Sequence, residues 1–210
     1  MNRNPIQRLV TSGTFDLDGG SWDVDNNIWL VGDDRSVLIV DAAHDADVIA
    51  EAVNGRRVTA IALTHGHNDH INAAVALREL VDAPVLLHPA DRMLWDAVHP
   101  GADPDGDLAA GDVLRAGPAE LAVLSTPGHS PGCCSFHDVS GGHVFSGDTL
   151  FCGGPGATGR SFSDFPTIIT SIREQLLTLP PETVVHTGHG ESTTIGAEAP
   201  NLEEWVRRGH

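Results

Sequence analysis

Seven consecutive residues, Thr64-His65-Gly66-His67-Asn68-Asp69-His70, hold three histidines and a carboxylate. No other part of the chain limits the fold as much. His65 and His67 are two apart, which puts them on one face of an extended segment. A helix would splay them, because its facing neighbours are three and four apart, so this is not the helical His-Glu-x-x-His zinc pattern. Upstream, residues 58–63 are apolar and partly β-branched and read as a buried strand. Downstream, residues 73–80 read as a helix. The cluster is therefore predicted at the carboxyl end of a strand, where α/β folds place their sites.

Composition sets the bounds. A chain of 210 residues can bury one good core, and 1–210 is read as a single domain. Twelve histidines prompt a search for metal. A net charge of -17 argues against nucleic acid or an anionic membrane as partner. No apolar run is long enough for a membrane span, and Met1 to Pro5 shows no apolar signal-peptide region. The cysteines, Cys133, Cys134 and Cys152, are sparse and odd in number, which fits a reducing, cytoplasmic setting. All basic residues are arginine and tyrosine is absent, a composition biased toward GC-rich codons.

Taken in order, residues 6–18 and 27–32 read as strands around a turn at Asp18-Gly19-Gly20. Residues 36–40 form a continuously apolar strand, predicted to be covered on both faces. It ends at Asp41, either a solvated loop acid or a hydrogen-bond partner behind the histidines. His44 reads as a loop residue, and 46–53 as a helix ended by Asn54-Gly55. Residues 84–88 form a strand whose His88 is packed or capping, followed by a helix over 90–98. The Gly-, Pro- and Asp-rich stretch 99–112 reads as a surface loop that borders the site. Its aspartates lack the glutamate that closes an EF-hand.

A strand at 121–125 runs into Thr126-Pro127-Gly128-His129-Ser130-Pro131-Gly132, where two prolines and two glycines hold one histidine rigidly. Cys133 and Cys134 are read as core filler rather than ligands. A hairpin turns at Gly141-Gly142 between strands 134–137 and 143–146, and the second strand exits into Gly147-Asp148. Residues 152–164 are glycine-rich without a phosphate-loop pattern. Within them Arg160 is either solvated or an anchor for a substrate carboxylate. An amphipathic helix starts at Pro166 and continues through Leu177. The last strand, 183–186, carries a packed His186 and leads to His189 between two glycines. Asn201 is placed to cap a terminal helix through Val206.

The candidate ligands are His65, His67, Asp69, His70, His129, Asp148 and His189. They lie too far apart in sequence for a local zinc finger and too many for one tetrahedral ion, so they suit two ions brought together by the whole fold.

In this order, T-H-x-H-x-D-H followed by an isolated His, an Asp and a His resembles the metallo-β-lactamase-fold hydrolases across nearly the whole chain. Asp41 fits the family's first motif, although the usual glycine two residues later is Ala43 here. Gly147-Asp148-Thr149-Leu150-Phe151 and the stretch from Thr187 to Gly196 resemble the glyoxalase II-like (hydroxyacylglutathione hydrolase-like) group. The resemblance implies an α/β (α+β), four-layer αββα sandwich of two similar halves. It assigns His65, His67 and His129 to one metal and Asp69, His70 and His189 to a second, with Asp148 bridging. Two divalent ions are implied, zinc first, with iron or manganese also suited to all-nitrogen and oxygen ligation.

The implied activity is attack of a metal-bridging hydroxide on the thioester of a small thiol carrier, a glutathione- or mycothiol-type conjugate, with Asp69 orienting the nucleophile. Only 21 residues follow His189, so the helical domain that helps glyoxalase II hold glutathione is not expected, and the pocket tyrosines cannot exist. A persulfide dioxygenase with a single iron is the alternative. A β-lactamase ranks lower because Asp148 stands where that class carries a cysteine or lacks the acid. A lactonase lacks its tyrosine, and a tRNA-processing nuclease is opposed by the charge. A non-catalytic metal-binding module would hold metal without turning over any ester. The oligomeric state is not legible.

Overall fold

The computed structural model describes residues 6–138 and 140–209; the expectation for Met1 to Pro5 lies outside these residues. The first half begins with a long hairpin, β1 (Ile6–Leu17) and β2 (Gly20–Gly32), followed by β3 (Ser36–Val40). Helix α1 (Ala46–Val53) crosses to β4 (Arg57–Ala62), which pairs parallel with β3. After α2 (Asn68–Ile71) and α3 (Ala74–Val81), β5 (Val85–Leu87) adds parallel to β4. Helix α4 (Arg92–Val98) and β6 (Gly106–Asp107) complete a sheet in the order β1-β2-β3-β4-β5-β6.

The second half repeats the scheme. Antiparallel β7 (Val113–Ala116), β8 (Ala119–Ser125), β9 (Cys134–Asp138) and β10 (His143–Gly147) are followed by a short pair, β11 (Leu150–Phe151) and β12 (Gly154–Pro155). Helix α5 (Phe165–Ser171) then crosses to β13 (Val184–Thr187), which pairs parallel with β10. With β14 (Thr193–Thr194) the sheet order is β14-β13-β10-β9-β8-β7. The chain ends in α6 (Ile195–Glu198) and α7 (Leu202–Arg208).

The layering follows from strand alternation. Ile28 and Leu30 of β2 and Val37 and Ile39 of β3 face α1, α3 and α4, packing with Ile49, Leu77 and Trp95. Their neighbours Trp29, Val31, Leu38 and Val40 face the other way and meet Leu121, Val123, Phe136 and Phe145 of the second sheet. Val144 and Val185 turn the outer face of that sheet toward Ile168, Ile172 and Trp205. The result is the αββα sandwich of two similar halves that the family resemblance implied. No helix of the described residues is long and apolar enough to cross a membrane.

Several local expectations change. Residues 113–116 form a strand that the sequence did not signal. The amphipathic helix is α-helical only to Ser171, then widens into a π turn over Ile172–Leu176. Asn201 does not cap α7: a 3-10 turn leads into that helix, and the Asn201 amide donates back to Ala197 O. The 99–112 loop does not border the site through its described contacts. It turns to the outer edge of the first sheet, where Asp105 takes the Val85 amide and Arg78. Phe136, fully buried between the sheets, should lose about 3–5 kcal/mol of stability on substitution by alanine. A denaturant titration checks this, and a loss below about 1 kcal/mol would contradict the inter-sheet core.

Candidate metal centre

Each half delivers ligands from the ends of one parallel strand pair, and the second half adds His129 from the loop between the antiparallel β8 and β9. β3 ends at Asp41 and β4 at Thr64-His65; β10 ends at Asp148 and β13 at His189. Of the two readings open for Asp41, the structure gives the hydrogen-bond partner. Its Oδ1 accepts the Thr64 amide at 2.7 Å and its Oδ2 accepts His70 Nδ1–H at 2.9 Å. That bond leaves the His70 Nε2 lone pair facing inward. The same happens twice more: His129 donates Nδ1–H to Ala157 O and His189 donates Nδ1–H to Asp25 O, each at 2.8 Å.

The donor atoms of His65, His67 and His129 lie within 4.8 Å of one another, as do those of His65, His70 and Asp148 and those of Asp69, His70 and His189. Asp148 Oδ2 lies 3.6 Å from His129 Nε2 and 3.3 Å from His189 Nε2, between the first and last groups. His70 Nε2 and His189 Nε2 face each other at 3.2 Å. Both rings already donate through Nδ1, so two lone pairs meet unless a proton or a cation lies between them. Among the buried polar atoms without a hydrogen-bond partner are His65 Nε2, His67 Nε2, Asp69 Oδ1 and Asp148 Oδ1. Such orphaned atoms are costly, and a cation is the partner that this set of nitrogens and carboxylates fits. All seven predicted ligand residues are thus brought together, and His44, His88 and His186 stay outside the groups.

A model of the metallo-β-lactamase superfamily matches residues 22–189. The chain belongs to the metallo-β-lactamase superfamily. The probable metallo-hydrolase YqgX of Bacillus subtilis is 40% identical over 187 residues, covering 82% of this chain and 88% of its own length. The hydroxyacylglutathione hydrolase GloC of Haemophilus influenzae is 30% identical over 186 residues, covering 81% and 87%. Among solved structures, the BLEG-1 B3 metallo-β-lactamase is 31% identical with a TM-score of 0.77, covering 90% of this chain and 97% of its own. A di-iron-bound form of TTHA1623 is 36% identical with a TM-score of 0.73, covering 84% and 93%. ETHE1 from Myxococcus xanthus is 27% identical with a TM-score of 0.74, covering 98% and 89%.

Two buried residues that sequence reasoning passed over support this superfamily site. Asn26 on β2 donates to Asp69 Oδ2 at 3.0 Å. Asp91, fully buried, accepts from Gly66 N at 2.8 Å, Gly132 N at 2.6 Å and Ser130 Oγ at 2.6 Å. It thereby ties the loop of His65 and His67 to the loop of His129 across the two halves. Both glycines are needed: a Cβ on Gly66 would lie 2.9 Å from Asp91 Cβ, and one on Gly132 would lie 2.7 Å from Asp91 Cγ. Neither Asn26 nor Asp91 carries a sequence signal, because each acts through a contact distant in sequence.

Above the ligands, Phe15, Val24, Phe151 and Ala157 line a cavity of about 230 Å³ whose floor is His67, Asp69, His129, Asp148 and His189. Phe15 and Val24 come from the long first hairpin. That hairpin is braced by Asn68, which donates to Thr14 O, and by Asp18, which accepts the Ser161 amide. Arg160 is not among the lining residues. Its guanidinium lies over the Trp22 ring, 4.0 Å from the centroid.

Burial pushes the His67 imidazole down to about 3, with His129 adding to the effect, and holds His65 well below its ordinary value. Burial opposes charge on His189 too, but the Asp148 and Asp69 carboxylates outweigh it and hold that ring up to about 10. His70 is raised well above its ordinary value in the same way, burial being outweighed by Asp148, Asp69 and Asp41. In the metal-free protein these carboxylates favour a proton held between His70 Nε2 and His189 Nε2 at neutral pH, and a metal must displace it.

Three outcomes follow. Zinc binding at pH 7 should release protons, read by calorimetry in buffers of different ionisation enthalpy; binding independent of buffer would contradict the protonated pair. The His189 contribution to metal-free stability is fully present below pH 6.5 and lost as pH rises toward about 10. A denaturant series over that window should show the loss without metal. Asp91→Ala strands three donors and should destabilise by at least about 3 kcal/mol, measured the same way.

Proposed function

We propose that this chain is a dinuclear metal-dependent hydrolase that cleaves the thioester of a small thiol carrier, a glutathione- or mycothiol-type conjugate. The observation that carries the reading is the pair of three-residue donor groups with Asp148 between them. Similarity to the hydroxyacylglutathione hydrolase GloC supports the substrate class. His65, His67 and His129 hold one ion, and Asp69, His70 and His189 the other. Zinc is the first choice, and the di-iron neighbour favours iron as the second. When bound, such a pair supplies a water of lowered pKa and positive charge beside a developing oxyanion.

The chain's own residues do the rest. Asp69 Oδ1 is buried, has no hydrogen-bond partner and belongs to a residue on the cavity floor. It accepts a hydrogen bond from the attacking water and turns the water's lone pair toward the thioester carbonyl. Phe15, Val24, Phe151 and Ala157 keep bulk water off the reacting carbon and hold the apolar part of the acyl group. A thiolate leaves without an acid, so the pocket needs no proton donor. Arg160, held over Trp22 of the hairpin that carries Phe15 and Val24, is the group assigned to a carboxylate of the carrier. The sparse, unpaired cysteines support a reducing, cytoplasmic setting for the reaction.

One rival has support of its own. ETHE1 matches nearly the whole chain at 27% identity, which favours a persulfide dioxygenase with a single iron as the second reading. A thioester panel on metal-replete protein, with glutathione, mycothiol and coenzyme A carriers, tests the first. Strong preference for one carrier is expected. No hydrolysis of any member would overturn it, and oxygen consumption with a persulfide would then support the rival. His129→Ala should abolish turnover in a folded protein, and full retained activity would contradict the ligand assignment.

A further inference from the structure

A chain of hydrogen bonds outside the ligand set runs from the surface of the first half to Asp69. It starts at Asn72, just after α2. The Asn72 Oδ1 accepts the His44 backbone N–H at 2.6 Å, which turns the amide nitrogen of Asn72 toward the His44 ring. Asn72 Nδ2 then donates to His44 Nδ1 at 3.1 Å. With Nδ1 occupied as an acceptor, the neutral ring carries its hydrogen on Nε2, and burial keeps that ring neutral by lowering its pKa. Nε2–H donates to Asn26 Oδ1 at 2.9 Å. That bond fixes the Asn26 amide with Nδ2 pointing at Asp69 Oδ2, 3.0 Å away, and facing His70 Nε2 at 3.2 Å. Every donor points the same way, so each bond sets the orientation of the next.

The backbone is arranged around this ring. His44 has φ of 64°, in the left-handed region. The ring passes so close to β1 that a Cβ on Gly13 would lie 2.2 Å from His44 Nδ1. Only a residue without a side chain at 13 leaves room for the imidazole to reach Asn26.

We propose that His44 is a positioning residue for Asp69, acting through Asn26. It fixes the rotation of the Asp69 carboxylate, holding Oδ2 beside His189 Nε2 at 3.3 Å and leaving Oδ1 unpartnered in the site. The role is distinct from that of Asp41, which orders His70 and Thr64. The inference rests on the metal-centre reading above and concerns the ion held by Asp69, His70 and His189.

Metal binding tests it without any substrate. Metal-free protein is titrated with zinc against a chromophoric chelator, and the two binding constants are compared among variants. Asp69→Ala identifies the constant belonging to the second ion. His44→Asn tolerates the left-handed backbone and keeps an acceptor for Asn72, but its amide stops short of Asn26. It should weaken that constant by about tenfold, the range for partners behind a ligand, and leave the other unchanged. His44→Gln places an amide donor where Nε2–H stood and should restore the constant. Asn26→Ala should match His44→Asn, and the double variant should be no weaker than either single one.

Wild-type binding by His44→Asn, an equal fall in both constants, or losses that add in the double variant would each overturn the role. If wild-type protein binds no zinc, the metal centre itself fails, a result distinct from two unaltered constants.

Discussion

Three imidazoles of the candidate metal centre donate their outer N–H to a fixed acceptor: His70 to Asp41, His129 to the Ala157 carbonyl and His189 to the Asp25 carbonyl. Each bond decides which ring nitrogen keeps its lone pair and where that lone pair points. All three point into one buried space that also holds Asp69 and Asp148. Most of what is unusual in the structure follows from this. Two imidazole nitrogens face each other at hydrogen-bond distance, the carboxylates favour a proton between them, and buried oxygens lack partners. Without a cation a proton is the other partner that balances the site, and this links the expected metal binding to proton release.

That convergence depends on the two halves being held in one relation. Each half brings a strand–helix–strand crossover whose parallel strands end at the site. The inter-sheet core around Trp29, Phe136 and Phe145 sets the separation of these ends. Asp91 then fixes their register locally by joining the Gly66 and Gly132 amides. One aspartate between two loops does what no single strand could, since the loops come from different halves. The same logic explains the long first hairpin, which reaches over the ligands and supplies Phe15 and Val24 to the apolar wall of the cavity.

The ligand residues were legible in the sequence because each sits in a local pattern: histidines two apart after a strand, one histidine between prolines, one acid after a glycine, one histidine between glycines. The αββα layering was legible only through the family resemblance, although the continuously apolar strand 36–40 already pointed to cover on both its faces. What escaped was set by distance. Asn26, Asp91 and the full reach of the β1–β2 hairpin act through partners tens of residues away, and nothing near them in sequence differs from an ordinary polar position. Asn201 looked like a helix cap, yet the preceding turn takes it out of the capping conformation. The 99–112 loop looked like a site border by composition alone, and its aspartates serve arginines and amides at the sheet edge instead.

The central claim is that both halves together hold two metal ions. Crystals of metal-loaded protein, with anomalous diffraction collected at the absorption edge of the bound metal, test it most directly. Two peaks about 3.5–4 Å apart are expected, one among His65, His67 and His129 and one among Asp69, His70 and His189, with Asp148 between them. A single peak, inside or outside these groups, or none, would contradict it.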